Sequence, residues 1–201
     1  MSGVAFGALA ISYVIGSVPT GLVLVRLLKG EDIRQYGSGN IGTVNVFRVA
    51  GTPIAILVLA VDVLKGLVPV LLAVRWGTGP WVSMVCGLAA IAGHNWSVFL
   101  GFRGGKGIAT SFGVLLALSP VAAFAAAAVW IVVVAATRYA SLGSILGVGA
   151  VPFVLWRLGQ PPAYVVFGVV AAIFAIYRHR ANIRRLVAGT ELRINDRRAK
   201  S

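Results

Sequence analysis

The sequence predicts an all-α, polytopic membrane protein of about seven transmembrane helices, and three observations carry that expectation. Hydrophobic residues make up 59% of the 201 residues and charged ones only 11%, with a mean hydropathy of +0.93; soluble domains are far less apolar. The apolar residues gather into runs close to the roughly 20 residues a helix needs to cross a bilayer. The basic residues, finally, fall almost entirely at one set of run ends.

The whole chain, 1–201, reads as one integral-membrane domain with apolar runs at about 4–28, 53–75, 80–100, 107–119, 120–137, 141–158 and 162–178. The first run is too long for the apolar part of a signal peptide and lacks a basic flank, so it is expected to be a retained helix. The second carries Asp62 and Lys65 three residues apart, a spacing that lets them pair along one helix face. The fourth run is short, and the Ser119-Pro120 step dividing it from the fifth leaves two counts open: seven spans, or six with one kinked or re-entrant segment. A basic tail, 179–201, follows the seventh run, and no soluble domain, internal repeat or low-complexity tract is evident.

With seven spans, Arg26, Lys29, Arg34, Arg48, Arg103, Lys106, Arg138 and the eight basic residues from Arg178 onward share one side. The other side holds Arg75 and Arg157 alone, so the rich side is expected to be cytoplasmic, with the N-terminus outside the cell (inner) membrane and the C-terminus inside. The net charge of +13 then reflects topology and anionic ligands rather than nucleic acid. Cys86 is the only cysteine, which excludes a disulfide framework and a cysteine-ligated metal site.

Every conspicuous polar motif falls on the basic side. In "GSGNIGTVNVFR" (37–48), Gly37, Gly39 and Gly42 let backbone N–H groups converge on a ligand, Ser38, Asn40, Thr43 and Asn45 add neutral hydrogen-bonding groups, and Arg48 adds a fixed guanidinium fork. That is the inventory of an anion pocket, set against the plainer reading of an ordinary surface loop. "GFRGGKG" (101–107) places Arg103 and Lys106 among glycines, but it is no Walker A loop: Leu100 stands where the first glycine is needed and Gly107 where Ser or Thr should meet magnesium. What remains is a glycine-rich loop opening the short fourth helix, whose amides favour an anion.

Two histidines accompany these loops. His94 near the end of the third run reads alone as a packing residue, whereas His179 lies one helical turn from Asn182, between Arg178 and Arg180. For His179 the residues leave two readings open, a site residue or part of a basic juxtamembrane helix binding anionic lipid. The chain has five carboxylates, and Glu31, Asp32, Glu191 and Asp196 all lie at the edges, leaving few ways to build a catalytic triad or a carboxylate metal centre. The composition therefore points to phosphate bound in an apolar setting without metal or cofactor, either in an enzyme or in an anion pathway.

Three segments, "GSGNIGTVNVFR", "GHNWSVFLGFRGGKGIAT" (93–110) and "HRANIRRLVAGTE" (179–191), with "DVLKG" (62–66) as a lesser match, resemble the bacterial integral-membrane acyl-phosphate:glycerol-3-phosphate acyltransferases, the PlsY family. The likeness runs along essentially the whole chain, with two departures: Thr43-Val44 where the family usually has Ala-Thr, and Ser97 where it usually has Pro. The resemblance implies a seven-span fold and transfer of the acyl group of an acyl phosphate to the 1-hydroxyl of glycerol 3-phosphate. The products would be lysophosphatidic acid and inorganic phosphate, the first acylation of phospholipid synthesis. Membrane lipid and the two substrates are the expected partners, with no nucleic acid and no obligate protein partner.

On that reading Ser38, Lys106 and His179 are the expected catalytic residues. Gly39, Asn40, Gly42, Thr43, Asn45, Gly104, Gly105 and Gly107 are expected to cradle the acyl phosphate, while Arg48, Asn182 and His94 complete the substrate site. Asp62 and Lys65 are expected to support it. Three routes for the hydroxyl proton and the acyl group remain open: His179 as base, the departing phosphate as base, or an acyl-enzyme on Ser38. With so few carboxylates available, the substrate-assisted route is favoured.

Overall fold

The computed structural model describes residues 3–196; Arg197, Arg198 and Lys200 of the predicted tail lie outside the described residues. The regular elements are all helical: α1 (Gly3–Ser17), α2 (Thr20–Lys29), α3 (Thr43–Ala50), α4 (Thr52–Arg75), α5 (Pro80–Asn95), α6 (Ile108–Leu118), α7 (Pro120–Thr137), α8 (Ala140–Arg157), α9 (Pro162–Arg178) and α10 (Arg180–Val187). Each of the seven predicted apolar runs is helical. Prolines begin α5, α7 and α9, where a missing N–H costs nothing because the first turn has no intrahelical acceptor.

Length sorts these helices. Five segments are long and apolar enough to cross a membrane: residues 5–29, Thr52–Arg75, Pro80–Leu100, Pro120–Thr137 and Ala140–Arg157. A sixth arises if α9 and α10, bent by 60° where they meet, are taken together. With 11 residues, α6 reaches only about 16 Å against the ~30 Å of a hydrocarbon core. It ends at Ser119, and α7 starts afresh at Pro120, so the step read from the sequence is a true turn between two helices.

The first run is not the single helix expected. It breaks at Val18-Pro19, where proline removes a donor and frees carbonyls of the preceding turn. The Ser97 hydroxyl donates to Ser17 O, and Lys65 Nζ donates to Val18 O at 2.7 Å. Ser97, one of the two departures from the family pattern, thus satisfies backbone that the break exposes.

Close helix pairs form where side chains are small. Gly66 of α4 lies against Thr110 O and Gly113 of α6 against Val63 O, so a Cβ at either would overlap backbone of the facing helix. Without a water-driven hydrophobic effect between helices, such close approach is what packing in lipid rests on. The pair α7–α8 sits at one side, packed on α6 and α9, and its outer residues Phe124, Ile131 and Phe153 face away from the protein. Two buried clusters result: a large one joining α4 to α9 and a smaller one of Leu22, Val25, Ile33, Ile41, Val46, Ala55 and Val58. The polar loops lie where α3, the start of α6 and α10 meet.

Candidate active site

The loop before α3 is held by Asn45, a buried residue in that helix's first turn. Its Oδ1 accepts from Ser38 N at 2.9 Å, and its Nδ2 donates to Tyr36 O at 3.0 Å and Asn40 O at 2.9 Å. Asn45 is therefore a staple of the loop, its amide engaged by backbone, and it also lines the cavity. Gly37, in the left-handed region at φ +59°, lies so close to Asn45 Oδ1 that a side chain there would displace the staple. Asn40 Oδ1 accepts from Gly42 N at 2.8 Å, closing a tight Asx turn that opens α3. Thr43 and Val44 follow at the helix start, where N–H groups lack intrahelical acceptors.

The second loop is laid on α5. Gly105 N donates to His94 O at 3.0 Å, and Gly104 and Gly105 fit against His94 so tightly that neither admits a Cβ. His94 thereby supports this loop from beneath, and Gly39, Gly104 and Gly105 shape their turns without reaching the cavity wall. Of the glycines expected in the cradle, Gly42 and Gly107 line the cavity. Arg178, whose role the sequence reading missed, donates from Nη2 to Gly104 O at 2.6 Å and from Nε to Gly105 O at 2.9 Å. Below the loop Asp62 and Lys65 pair at 2.7 Å as expected, and Lys65 Nζ also lies 3.3 Å from His94 Nδ1. These buried groups form a support, one edge of which touches the cavity through Asp62 and His94.

At the loop's tip Lys106 Nζ donates to Asn182 Oδ1 at 2.6 Å, and Asn182 Nδ2 donates to Glu191 Oε1 at 2.6 Å. Glu191 also accepts from Ser141 Oγ at 2.7 Å and from Arg185 Nε at 2.7 Å. Glu191 was counted among edge carboxylates, yet it is 9% exposed and organises α8, α10 and Lys106 together. Burial alone would raise its carboxyl, but the hydrogen bonds from Asn182, Ser141 and Arg185, with the Arg185 charge, hold it below the usual value. Its position as an acid within a basic stretch was its only sequence signal; Ser141 had none.

His179, in the turn between α9 and α10, is 2% exposed. Its Nδ1 lies 2.8 Å from Ala175 O, and a carbonyl only accepts, so Nδ1 carries the proton and Nε2 presents a lone pair. Burial, then the Lys106 charge, lowers its pKa to about 4, so it is neutral near pH 7. The lipid-headgroup reading of His179 fails because a buried ring cannot meet a headgroup. Lys106 is lowered to about 8, chiefly by burial, with Glu191 opposing and the cations Arg185, Arg48 and Arg178 adding to the shift.

Arg48 is oriented by the chain's last described segment: Nη2 donates to Arg193 O at 2.8 Å and Leu192 O at 3.2 Å. The same strap is pinned by Ile194 N donating to Arg138 O at 2.8 Å. Arg48 thus remains on the cavity wall, but its guanidinium is partly engaged by backbone carbonyls rather than free.

These groups open on one cavity of about 400 Å³. One end is polar, walled by Ser38, Thr43, Lys106, His179, Asn182 and Arg185. The other is apolar and runs between α6, α7 and α8 past Phe112, Leu115, Ala127, Trp130 and Gly147. No cluster of three or more metal-ligating His, Cys, Asp or Glu side chains occurs among the described residues.

The family profile described as glycerol-3-phosphate acyltransferase matches residues 6–189. A glycerol-3-phosphate acyltransferase of Geobacter sulfurreducens is 50% identical over 185 residues, covering 92% of this chain and 94% of that one. Glycerol-3-phosphate acyltransferase 2 of Moorella thermoacetica is 50% identical over 190 residues, covering 94% and 97%. Crystal structures of PlsY, an integral membrane glycerol 3-phosphate acyltransferase, match in two forms. The glycerol 3-phosphate form superposes with a TM-score of 0.91 at 41% identity over 95% of this chain and 96% of the other. The lysophosphatidic acid form does so with 0.89 at 39%, over 95% of each chain.

Proposed function

Because the chain belongs to the glycerol-3-phosphate acyltransferase family, we propose that it transfers an acyl group to the 1-hydroxyl of glycerol 3-phosphate, forming lysophosphatidic acid. We further propose an acyl phosphate as the donor, with inorganic phosphate leaving. The observation that carries this reading is a single cavity with a cationic, hydrogen-bonding end and a long apolar end. It suits a substrate that is itself a phosphate joined to a hydrocarbon chain. An anion pathway is disfavoured, because such a pathway needs polar lining on both sides of the membrane.

The donor phosphate would sit between the start of α3 and Lys106, where backbone N–H groups and one ammonium meet it. Arg48, His179 and Asn182 would hold glycerol 3-phosphate, with Lys106 between the two phosphates. The acceptor's 1-hydroxyl attacks the carbonyl carbon, a new ester C–O bond forms, and the bond from that carbon to the phosphate oxygen breaks. The departing phosphate takes the proton. His179 Nε2 accepts a hydrogen bond from the hydroxyl and so aims it, but its low basicity suits orientation better than full proton removal. Ser38 donates to the substrate in this scheme: among the described residues no histidine or carboxylate is hydrogen-bonded to its hydroxyl to activate it as a nucleophile. Holding both substrates and offsetting charge at the leaving phosphate is the whole catalytic task, since the donor is already activated.

We also propose that the basic, polar face is cytoplasmic, in the cell (inner) membrane, with the N-terminus outside and seven crossing segments, the short α6 crossing where the bilayer thins around it. The one-sided distribution of Lys and Arg supports it. Purified protein given palmitoyl phosphate and glycerol 3-phosphate should release phosphate and form lysophosphatidic acid, and palmitoyl-CoA should not replace the donor. No product from a folded preparation overturns the proposal. Product from palmitoyl-CoA alone overturns the donor assignment.

A further inference from the structure

The apolar end of the cavity stops short. Its deepest wall residues are Leu115 on α6, Ala126 on α7 and Val148 on α8. The next residues on the same helix faces, Leu118, Ala122, Ala123 and Val151, are 7%, 0%, 0% and 1% exposed and belong to the packed core. Gly147 lies against Ala126 O, which places Val148 and the alanines at one depth. The trough is thus closed at its far end by interlocked side chains. Toward α4 it is bordered by Leu59 and by Ile131, both exposed on the protein's surface, so a chain that overfills the trough has a sideways route into lipid.

Depth follows from helix geometry. From Ser141, bonded to Glu191 at the polar end, to Val148 is about 10 Å along α8 at ~1.5 Å per residue. An extended chain of tetrahedral bonds advances about 1.2 Å per bond, as the three bonds of an extended residue covering ~3.5 Å show. The trough therefore holds about eight or nine carbons.

Resting on the acyltransferase reading above, we propose that this closed trough is a gauge for the first eight or nine carbons of the acyl chain, with Leu115, Ala126 and Val148 closing its floor and Ala127 lining it just above. Carbons beyond that number leave sideways and go unread. The enzyme then separates short donors from long ones sharply and treats long donors alike.

The test is a series of saturated acyl phosphates of four to sixteen carbons with the wild-type protein and two variants. With donors compared at equal mole fraction in detergent, wild-type kcat/KM should rise severalfold with chain length up to about eight or nine carbons, as the trough fills, and flatten beyond, where the surroundings are lipid-like. Ala127→Leu should flatten about two carbons earlier, and a melting temperature like that of the wild type shows that it has folded. Leu115→Ala should flatten about two carbons later. A wild-type profile that climbs without a break to sixteen carbons, or a break at the same length in all three proteins, overturns the gauge alone. A wild type that forms no product from any donor overturns the acyltransferase reading and the gauge with it.

Discussion

Lys106 is the residue whose environment makes the sharpest prediction. Its pKa is lowered to about 8, so the free enzyme loses this charge as pH rises through 8 rather than near 10.5. The value of kcat/KM for glycerol 3-phosphate should fall on an alkaline limb centred near pH 8, and Lys106→Arg should remove that limb while lowering the rate. Stability moves the other way: a lysine whose folded pKa lies below its unfolded one costs stability while charged, and that cost is relieved between pH 8 and 10.5. Activity lost there with an unchanged or higher melting temperature identifies titration, not unfolding. Glu191 makes a second prediction. Removing it as Glu191→Ala leaves Asn182, Ser141 and Arg185 without their common acceptor, so melting should fall by the equivalent of about 1–3 kcal/mol, and turnover should fall with it. Activity that survives undiminished would show that this network does not position Lys106. Lys106, His179 and Asn182 were legible because donors and glycines gather in loops between oily runs. Glu191 was not, because a carboxylate's depth depends on where the chain folds back after α10, and no local pattern encodes that return.

Among the elements, α6 depends most on its neighbours. Too short to cross a bilayer alone, it is held by close backbone contact with α4 at Gly66 and Gly113. Replacing Gly113 by Leu should force the pair apart, at about 1–3 kcal/mol or more, and displace Lys106 at the loop that opens α6. Thermal unfolding in detergent and the KM for glycerol 3-phosphate together check this; an unchanged KM in a destabilised protein would show that the loop is held by Arg178 and His94 alone. Hydropathy located the apolar runs that are helical and even the turn at Pro120. It could not show the break at Pro19, because the apolar run continues straight through it, and the groups that compensate, Lys65 and Ser97, come from distant parts of the chain.

At the scale of the whole molecule the expected topology is open to direct measurement. Cys86 is the chain's only cysteine and is 1% exposed, so it gives little background to a membrane-impermeant thiol reagent. In intact cells Thr78→Cys, between α4 and α5, should react, and Arg103→Cys should react only after the membrane is opened. The reverse pattern would invert the orientation and place the site outside. The strap from Glu191 to Ile194 carries a consequence for the order of manufacture. A ribosome delivers the Ser38 and Lys106 loops early, and each can enter the membrane with its helices, but Glu191 and the carbonyls that aim Arg48 emerge only after α10. A nascent chain therefore lacks these partners of Arg48 and Asn182 until the segment after α10 has emerged and folded back.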